Sequence, residues 1–495
     1  MSLFLNELLE LNLSLNPYIT GMSVDSHTVV TGHVFFAVAG RHTHGEVYID
    51  DALQRGAVAV VKEVFDNQTT FSELDGVSGK VPCIALPHLA QKLGSYAAKF
   101  YHYPTQAMQV IGVTGTNGKT SVTHFISQIL QQLTQQPCGL IGTLGYGVYG
   151  KLQSGLHTTP EAIRLQSLFA QLHDQQVKTV VMEVSSHGLA QGRVNATKFD
   201  IAVFTNLTRD HLDYHGTMQA YGEAKQLLFH FPELSAAVIN IDDEFGQQLL
   251  RDLPASVQPL TYSLQHENSR VFAQFHPTSA GYAIKIRSDW GTGEIVLPLL
   301  GKFNIYNMLA AFTVLLRLGL PFEQVLTACA HLTPVVGRME KLTQPQQPMA
   351  IIDYAHTPDA LQKVLVAVRQ HCAGKLWCVF GCGGDRDRGK RALMGQIAQQ
   401  YADAVVLTDD NPRHEASEAI IADILVGCPN PTAIIPPREQ AILYALAAAK
   451  VADAVVIVGK GHEDYQEVSG QRLPFNDKVV VEKWFGQFQK NRLSG

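Results

Sequence analysis

The stretch Val110-Ile111-Gly112-Val113-Thr114-Gly115-Thr116-Asn117-Gly118-Lys119-Thr120-Ser121 runs from an apolar, partly β-branched segment through glycines into a helical pattern that begins around Thr120. A strand turning through glycines onto a helix N-terminus is a phosphate cradle. Backbone N–H groups converge on phosphate oxygens, the helix dipole favours the anion, Lys119 neutralises β and γ charge, and the Thr120 hydroxyl suits Mg²⁺. Gly115, Thr116, Asn117, Gly118, Lys119, Thr120 and Ser121 are therefore the expected nucleotide-phosphate residues. The strict G-x-x-x-x-G-K-[ST] form needs Gly at 113, where Val stands, so the strand-to-helix context decides against a bland glycine turn.

Outward from this loop, apolar runs recur at 179–184, 201–205 and 236–241 with long helical stretches between them. Parallel strands linked by crossover helices are covered on both faces, which removes period-two alternation, so the central unit is predicted as a mostly parallel, doubly wound sheet closed by a helix at 304–318. Upstream, short runs at 34–38, 57–61 and 83–86 alternate with Gly- and His-bearing loops, the pattern of a small α/β cap. A helical pattern at 89–101 then passes through Tyr103-Pro104-Thr105 into the central unit. Beyond the polar segment 341–347, runs at 349–354, 376–380, 404–407, 432–435 and 454–458 again alternate with helices, predicting a second, Rossmann-like unit. The expected fold class is α/β with three domains, 1–92, 93–338 and 339–495.

Composition agrees. A chain of 495 residues is too long for one ordinary core, and 46% hydrophobic with 17% charged residues excludes disorder and coiled coil. A net charge of −6 argues against a general nucleic-acid partner while allowing local basic pockets. The seven Cys show no zinc-type spacing and read as reduced thiols. No run approaches the length of a membrane span and the first 17 residues lack a signal-peptide pattern, so a cytoplasmic protein without a membrane partner is expected.

Two further strand ends carry chemistry. Met182-Glu183-Val184-Ser185-Ser186-His187 and the segment from Phe204 through Asn206, Asp210 and His211 to His215 place Glu183 and His211 beside the phosphate loop, where oxygen and imidazole ligands suit a divalent cation. Taken singly, Glu183 reads equally as a strand-end solvent carboxylate and His211 as a neighbour of a helix cap. Lys225 alone is a solvated helix lysine; close to bound cations its ammonium would be repelled, so a functional Lys225 needs a neutral or acidic form. In the third unit, polar loops at 353–359, 380–387, 409–413 and 459–464 each follow an apolar strand and converge on one crevice. Arg386 and Arg413 suit carboxylates, and Asn411 and Glu463 suit an ammonium, so a zwitterionic amino acid fits, unless the arginines merely pair within Asp-rich loops. A dinucleotide fingerprint is excluded because Arg386 stands where its last glycine is needed.

Thr114 to Thr120, Glu183 to Gly188, Asn206 to His215, Gly301-Lys302-Phe303-Asn304, Gly337-Arg338-Met339-Glu340, Asp353 to Asp359 and Asp410 to Arg413 together resemble the Mur ligase family, in order over nearly the whole chain. The resemblance implies a UDP-binding cap, a central ATPase and a C-terminal amino-acid domain. It also implies ATP-dependent ligation of an amino acid onto a UDP-linked peptide in bacterial peptidoglycan precursor synthesis, through an acyl phosphate. Carried over by residue, it implies Asn304, Arg338, Asp353 and His356 at ATP. It gives Thr120 and Glu183 to one Mg²⁺, and His211 with a carbamylated Lys225 to a second. Lys119, Lys225, His211 and Glu183 would form the catalytic set. The substrate UDP-N-acetylmuramoyl-L-alanyl-D-glutamate would meet Val24, Ser26, Arg41, His42, Thr43, His157, Thr158, Thr159, Ser185, Gln191 and Arg193. Asp410-Asn411-Pro412-Arg413 resembles the version that takes meso-diaminopimelate, with Arg386, Gly459 and Glu463 completing the pocket. A monomer is expected. The rival readings are a lysine-adding or folate-polyglutamylating relative, which the 410–413 loop opposes, and a P-loop switch or motor, which would hydrolyse ATP without an amino acid.

Overall fold

The computed structural model describes residues 2–40, 43–66, 68–155, 157–278 and 281–493, with side chains to 486. The expected substrate residues Arg41 and His42 lie outside the described residues.

Strand Gln109–Thr114 lies inside an eleven-stranded sheet of the described residues. It pairs in parallel with Thr179–Glu183 on one side, Val113 opposite Glu183, and with Ile201–Phe204 on the other, Thr114 opposite Phe204. Cys138–Gly142 lies outside Thr179–Glu183, so the chain first winds one way from the central strand and then crosses to Ile201–Phe204 and Ala236–Asn240. That reversal is a topological switch point, and ligands bind at the carboxyl ends of strands there. Val110, Ile111 and Val113 are fully buried, the reason the run shows no alternation. Helix Lys119–Thr134 covers one face, its Val122, Phe125 and Ile129 sharing a core with Met308, Leu309 and Phe312 of helix Lys302–Arg317. Helix Ala162–Asp174 covers the other with Leu165, Phe169 and Leu172.

The sheet is parallel at its centre and mixed at its edges. Val271–Thr278, Gly281–Ser288 and Gly291–Leu297 form an antiparallel meander at one edge, and Gly145–Val148 pairs antiparallel with Lys151–Gln153 at the other. The reading for continuous apolar runs did not find these half-exposed strands.

The N-terminal sheet runs Gly21–Ser23, His33–Ala37, Ala59–Val64, Gly79–Pro87, Thr70–Gly76, with the last pair antiparallel. Helix Leu89–Phe100 buries Leu89, Leu93, Ala97 and Phe100 in the same core as Val34, Phe36, Val61 and Ile84. The expected division after 92 therefore cuts a helix that belongs to this core, and the chain leaves the unit at the turn Pro104–Ala107. The C-terminal sheet runs Glu340–Leu342, Met349–Asp353, Ala454–Val458, Leu376–Phe380, Ala404–Leu407, Ala433–Ile434, parallel except at its first pair. All seven cysteines are free. Among the described residues no helix is long and apolar enough to cross a membrane.

Candidate active site

The phosphate loop owes its shape to two glycines and to the strand beside it. Gly115 has φ +145° and Gly118 φ +91°. A Cβ at Gly115 would collide with the Thr205 hydroxyl and one at Gly118 with the Asn307 amide oxygen, so no other residue fits. The Thr116 and Asn117 N–H groups donate to the carbonyl and side-chain oxygens of Asn206 at 2.8 and 3.0 Å, and the Thr205 hydroxyl donates to Asn117 O at 2.6 Å. Thr205 and Asn206 thus mould the cradle, a role sequence reading did not give them. Lys119 Nζ arches back to Gly115 O at 2.8 Å and Thr116 O at 2.9 Å. Desolvation pulls its ammonium below the ordinary range against the attraction of Glu183 and Asp210.

Glu183, at the end of the neighbouring strand, is 1% exposed. Its carboxylate accepts from the Thr120 hydroxyl at 3.0 Å, from Thr143 N–H at 2.8 Å and from the Thr143 hydroxyl at 3.1 Å. A Cβ on Gly142 would strike it. Thr143, which no sequence signal picked out, is therefore a main support of Glu183.

His211 sits at φ +53° with its ring 4.9 Å from that of His187. Burial lowers its pKa to about 3, against the pull of Asp210. Burial raises the Asp210 carboxyl, but the hydrogen bond and charge of His356, with His211, outweigh it and hold the group below the carboxylate range. Lys225 is buried on helix Met218–Gln226, its Nζ 4.2 Å from the Tyr221 ring centroid, and burial first, then the like charge of Lys119, push its pKa far down. The Tyr221 hydroxyl is 3.2 Å from the Thr116 hydroxyl, which ties this helix to the phosphate loop.

The loop opens into a cleft of about 640 Å³ between the central and C-terminal units, lined by Lys119, Glu183, His211, Arg338, Asp353 and His356 among others. Arg338 NH2 donates to the Thr120 hydroxyl at 3.2 Å, Asn117 Nδ2 to Asp359 at 3.3 Å, and His356 Nε2 stands 3.8 Å from Asp210. Asp353 accepts the Met339 and Ala355 N–H groups at 2.7 Å each, so it fixes the Arg338 turn. Burial raises its pKa. Asn304 spends its amide on Leu300 O and Asn307, and of these two asparagines it is Asn307 that lines the cleft.

Among the described residues no group of three or more His, Cys, Asp or Glu side chains is arranged to hold a metal ion. Thr120 and Glu183 do offer adjoining hydroxyl and carboxylate oxygens at the phosphate loop, the donor chemistry Mg²⁺ takes alongside phosphate oxygens and water. Lys225 is not among the described residues lining the cleft.

The residues expected at the UDP-linked substrate form one framework on the central unit. The Thr158 hydroxyl is 3.0 Å from that of Thr143, and Thr159 accepts Ser185 N–H at 2.9 Å. Ser185 caps Ser186–Ala190, and Arg193 donates to Thr159 O and to Gln191 at 2.9 Å each. His157 is held through its main chain by the Tyr146 hydroxyl. Val24 and Ser26 lie on the N-terminal unit, which faces this framework: Glu161, raised in pKa by burial, feels both Arg193 and Asp25. Thr43 is exposed.

In the C-terminal crevice Arg413 donates through Nε to Glu467 at 3.0 Å and through NH1 to Gly384 O at 2.8 Å. Among the described residues Arg386 donates to its neighbour's carbonyl, Asp385 O, at 3.3 Å and to no carboxylate. Asn411 and Glu463, expected to receive an ammonium, already hold one. The fully buried Lys460 donates to both at 2.9 Å and lies 3.8 Å from Asp410. Gly459, at φ +113°, brings the backbone against Asp410. Pro412 O accepts Glu415 N–H, and Arg391, 0% exposed, donates to Glu415, Asp423 and Gly383 O. Glu467 and Arg391 were missed because their ion-pair partners are distant in the chain, whereas Lys460 stands three residues from Glu463 in a loop whose lysine was not singled out.

Fold and cleft define a nucleotide-binding α/β protein whose phosphate loop faces a second parallel-sheet domain. Family models match in order: the Mur ligase family catalytic domain over residues 18–101, the Mur ligase middle domain over 113–315 and the Mur ligase glutamate ligase domain over 337–461. The UDP-N-acetylmuramoyl-L-alanyl-D-glutamate--2,6-diaminopimelate ligase of Coxiella burnetii is 44% identical over 97% of this chain and 99% of its own, and that of Pseudomonas aeruginosa 48% identical over 93% and 94%. A solved structure of a ligase of that name superposes with a TM-score of 0.69 at 36% identity over 99% of this chain and 100% of that one. An ADP complex of the MurF ligase from Thermotoga maritima, 18% identical over 95% of this chain and 98% of its own, shares the fold with a TM-score of 0.65. The chain belongs to the Mur ligase family.

Proposed function

We propose that the protein is an ATP-dependent amide ligase that adds meso-2,6-diaminopimelate to UDP-N-acetylmuramoyl-L-alanyl-D-glutamate in peptidoglycan precursor synthesis. End-to-end identity of 44% and 48% with ligases of that name carries this reading. A carboxylate is a poor acceptor for an amine, so the D-glutamyl carboxylate is first phosphorylated. The amine then attacks the acyl phosphate, and the tetrahedral intermediate collapses to amide and phosphate. Lys119 offsets charge on the transferred phosphoryl group from its carbonyl-braced position. Arg338 and His356 bring the C-terminal unit to the same phosphates, and closure of the two units over the cleft would keep water from the acyl phosphate.

Thr120 and Glu183 are the residues proposed to hold one Mg²⁺, with His211 and a carbamylated Lys225 proposed for a second; bound there, the ions supply positive charge to phosphate oxygens. The depressed basicity of Lys225 supports the carbamate, because only the neutral amine adds carbon dioxide. The pocket for the incoming amino acid is read at Arg386, Asp410 to Arg413, Gly459 and Glu463. The three functional units are proposed with the first boundary moved from 92 to the Pro104–Ala107 turn. A cytoplasmic monomer is part of the same proposal. The test is incubation with ATP, Mg²⁺ and the UDP-dipeptide plus either meso-diaminopimelate or L-lysine, with the product weighed by mass spectrometry. A mass gain of one diaminopimelate residue is expected; ATP hydrolysis with no amino-acid adduct, or preference for lysine, would refute the reading.

A further inference from the structure

We infer that Glu467, on strand Tyr465–Val468, is a positioning residue that decides which edge of the Arg413 guanidinium faces the incoming amino acid, and thereby selects a substrate with a distal carboxylate. The inference deepens the amino-acid site proposed above and rests on it.

The segment 466–469 is laced to the 410–413 loop. Gln466 Nε2 donates to Asp410 O at 2.7 Å, Glu467 N–H to Asn411 Oδ1 at 2.9 Å, Arg413 N–H to Glu467 O at 3.0 Å and Ser469 N–H to Arg413 O at 2.7 Å. An isolated parallel bridge pairs Arg413 with Val468. This lacing holds Arg413 at φ +53°, a left-handed conformation a bulky residue adopts only when its surroundings impose it.

The side chain is equally constrained. A guanidinium carries five N–H donors in a planar fork. Here Nε–H is taken by Glu467 and one NH1 hydrogen by Gly384 O, while Gly383 is bare enough that an added Cβ would lie 3.0 Å from NH1. The NH1–NH2 end is left as the edge able to take a carboxylate in bidentate fashion. Side-chain exposures of 16% for Arg413 and 24% for Glu467 keep this ion pair partly out of water, where orientation matters more than at the surface. Without Glu467, Arg413 would swing to offer its Nε edge or find Glu463, and the distal carboxylate would lose its geometry. Diaminopimelate has that carboxylate and lysine does not.

Steady-state kinetics of the full-length enzyme, with Glu467→Ala and Glu467→Gln, tests this. Glu467→Ala is expected to raise the KM for meso-diaminopimelate by about tenfold or more, with kcat within about threefold and the KM values for ATP and the UDP-dipeptide unchanged. Glu467→Gln keeps an acceptor for Nε without the charge and falls between. A diaminopimelate KM within about twofold of wild type in both variants, a joint rise of all three KM values, or a fall in kcat alone would overturn the inference. If Glu467→Ala fails to fold, the isosteric Gln variant decides by the same criteria. Wild-type enzyme that forms no diaminopimelate adduct would instead refute the functional reading itself, before any Glu467 variant is compared.

Discussion

Replacing Arg391 by Met keeps the unbranched stem and much of the volume but removes a fully buried guanidinium. Three bonds to carboxylates are lost, from NH2 to Glu415 Oε1 at 2.8 Å and from NH1 to Glu415 Oε2 at 3.0 Å and Asp423 Oδ2 at 2.8 Å, together with NH2 to Gly383 O at 3.1 Å. Breaking one side of a buried ion pair costs about 3–5 kcal/mol. Asp423 is 42% exposed and regains water, and Glu415 keeps Arg388 at 3.0 Å, so the lower end applies, about 3 kcal/mol. Two of the three Trp, Trp377 and Trp484, lie in the C-terminal unit, so urea unfolding followed by Trp fluorescence reads this region. Glu415 also accepts Asp385 N–H at 2.6 Å, so Arg391 braces both the 381–388 loop, with Arg386, and the 408–416 loop, with Arg413. The loss should therefore raise the KM for diaminopimelate as well as lower stability. A stability loss under about 1 kcal/mol, or strict additivity of Arg391→Met with Glu415→Gln in a double-mutant cycle, would refute the argument.

Arg413→Ala should depress kcat/KM for diaminopimelate on the order of 10³-fold, because the distal carboxylate then loses the Arg413 fork, and steady-state kinetics with ATP saturating checks it. Glu415 titrates at about 2, held there first by the hydrogen bond from Arg391, so its stabilising contribution is present above the ordinary carboxylate value of 4.5 and is lost as pH falls towards 2. The gap in urea midpoint between wild type and Glu415→Gln should accordingly be widest near neutrality and narrow below pH 4.5; a gap independent of pH contradicts the assignment. Wild-type protein equilibrated with ¹³C-bicarbonate should show a carbamate carbonyl resonance that Lys225→Ala lacks, and its absence from wild type would remove the carbamylated ligand from the proposal.

The parts of this molecule that were legible in sequence are those where local chemistry and topology coincide. Val110 to Ser121 declares strand, turn and helix in one passage, and the apolar runs at 349–354, 376–380, 404–407 and 454–458 become strands because burial on both faces demands continuous apolar residues, while that at 432–435 yields only the short edge strand Ala433–Ile434. The antiparallel meander at 271–297 escaped because its edge strands face solvent on one side and carry polar residues such as Gln274, Lys285 and Glu294. At the site, the polar loops were found and their internal partners were not. Lys460 stands three residues from Glu463 in the same loop and was passed over, whereas nothing near Arg413 points 54 residues onward to Glu467. The Arg413–Glu467 pairing exists only once the 410–413 and 465–468 segments are side by side.

The two crevices use the same architecture for opposite electrostatic tasks. In the central one, Lys119 leans on neutral carbonyls, so its charge is oriented without being neutralised at close range, and an incoming polyphosphate meets an unspent cation. In the C-terminal one, two of the charges named for the amino acid are already answered, Arg413 by Glu467 and Glu463 by Lys460, while Arg386 donates to a carbonyl. An unpaired buried charge costs several kcal/mol, so pre-pairing lets the crevice stay folded without its ligand. It also sets a condition on entry. A zwitterion that supplies both a carboxylate and an ammonium adds to these pairs without stranding either partner, whereas a ligand bringing only one charge must leave the other edge unanswered. Discrimination at this site follows from Arg413 as its paired neighbour orients it, and not from an arginine free to turn.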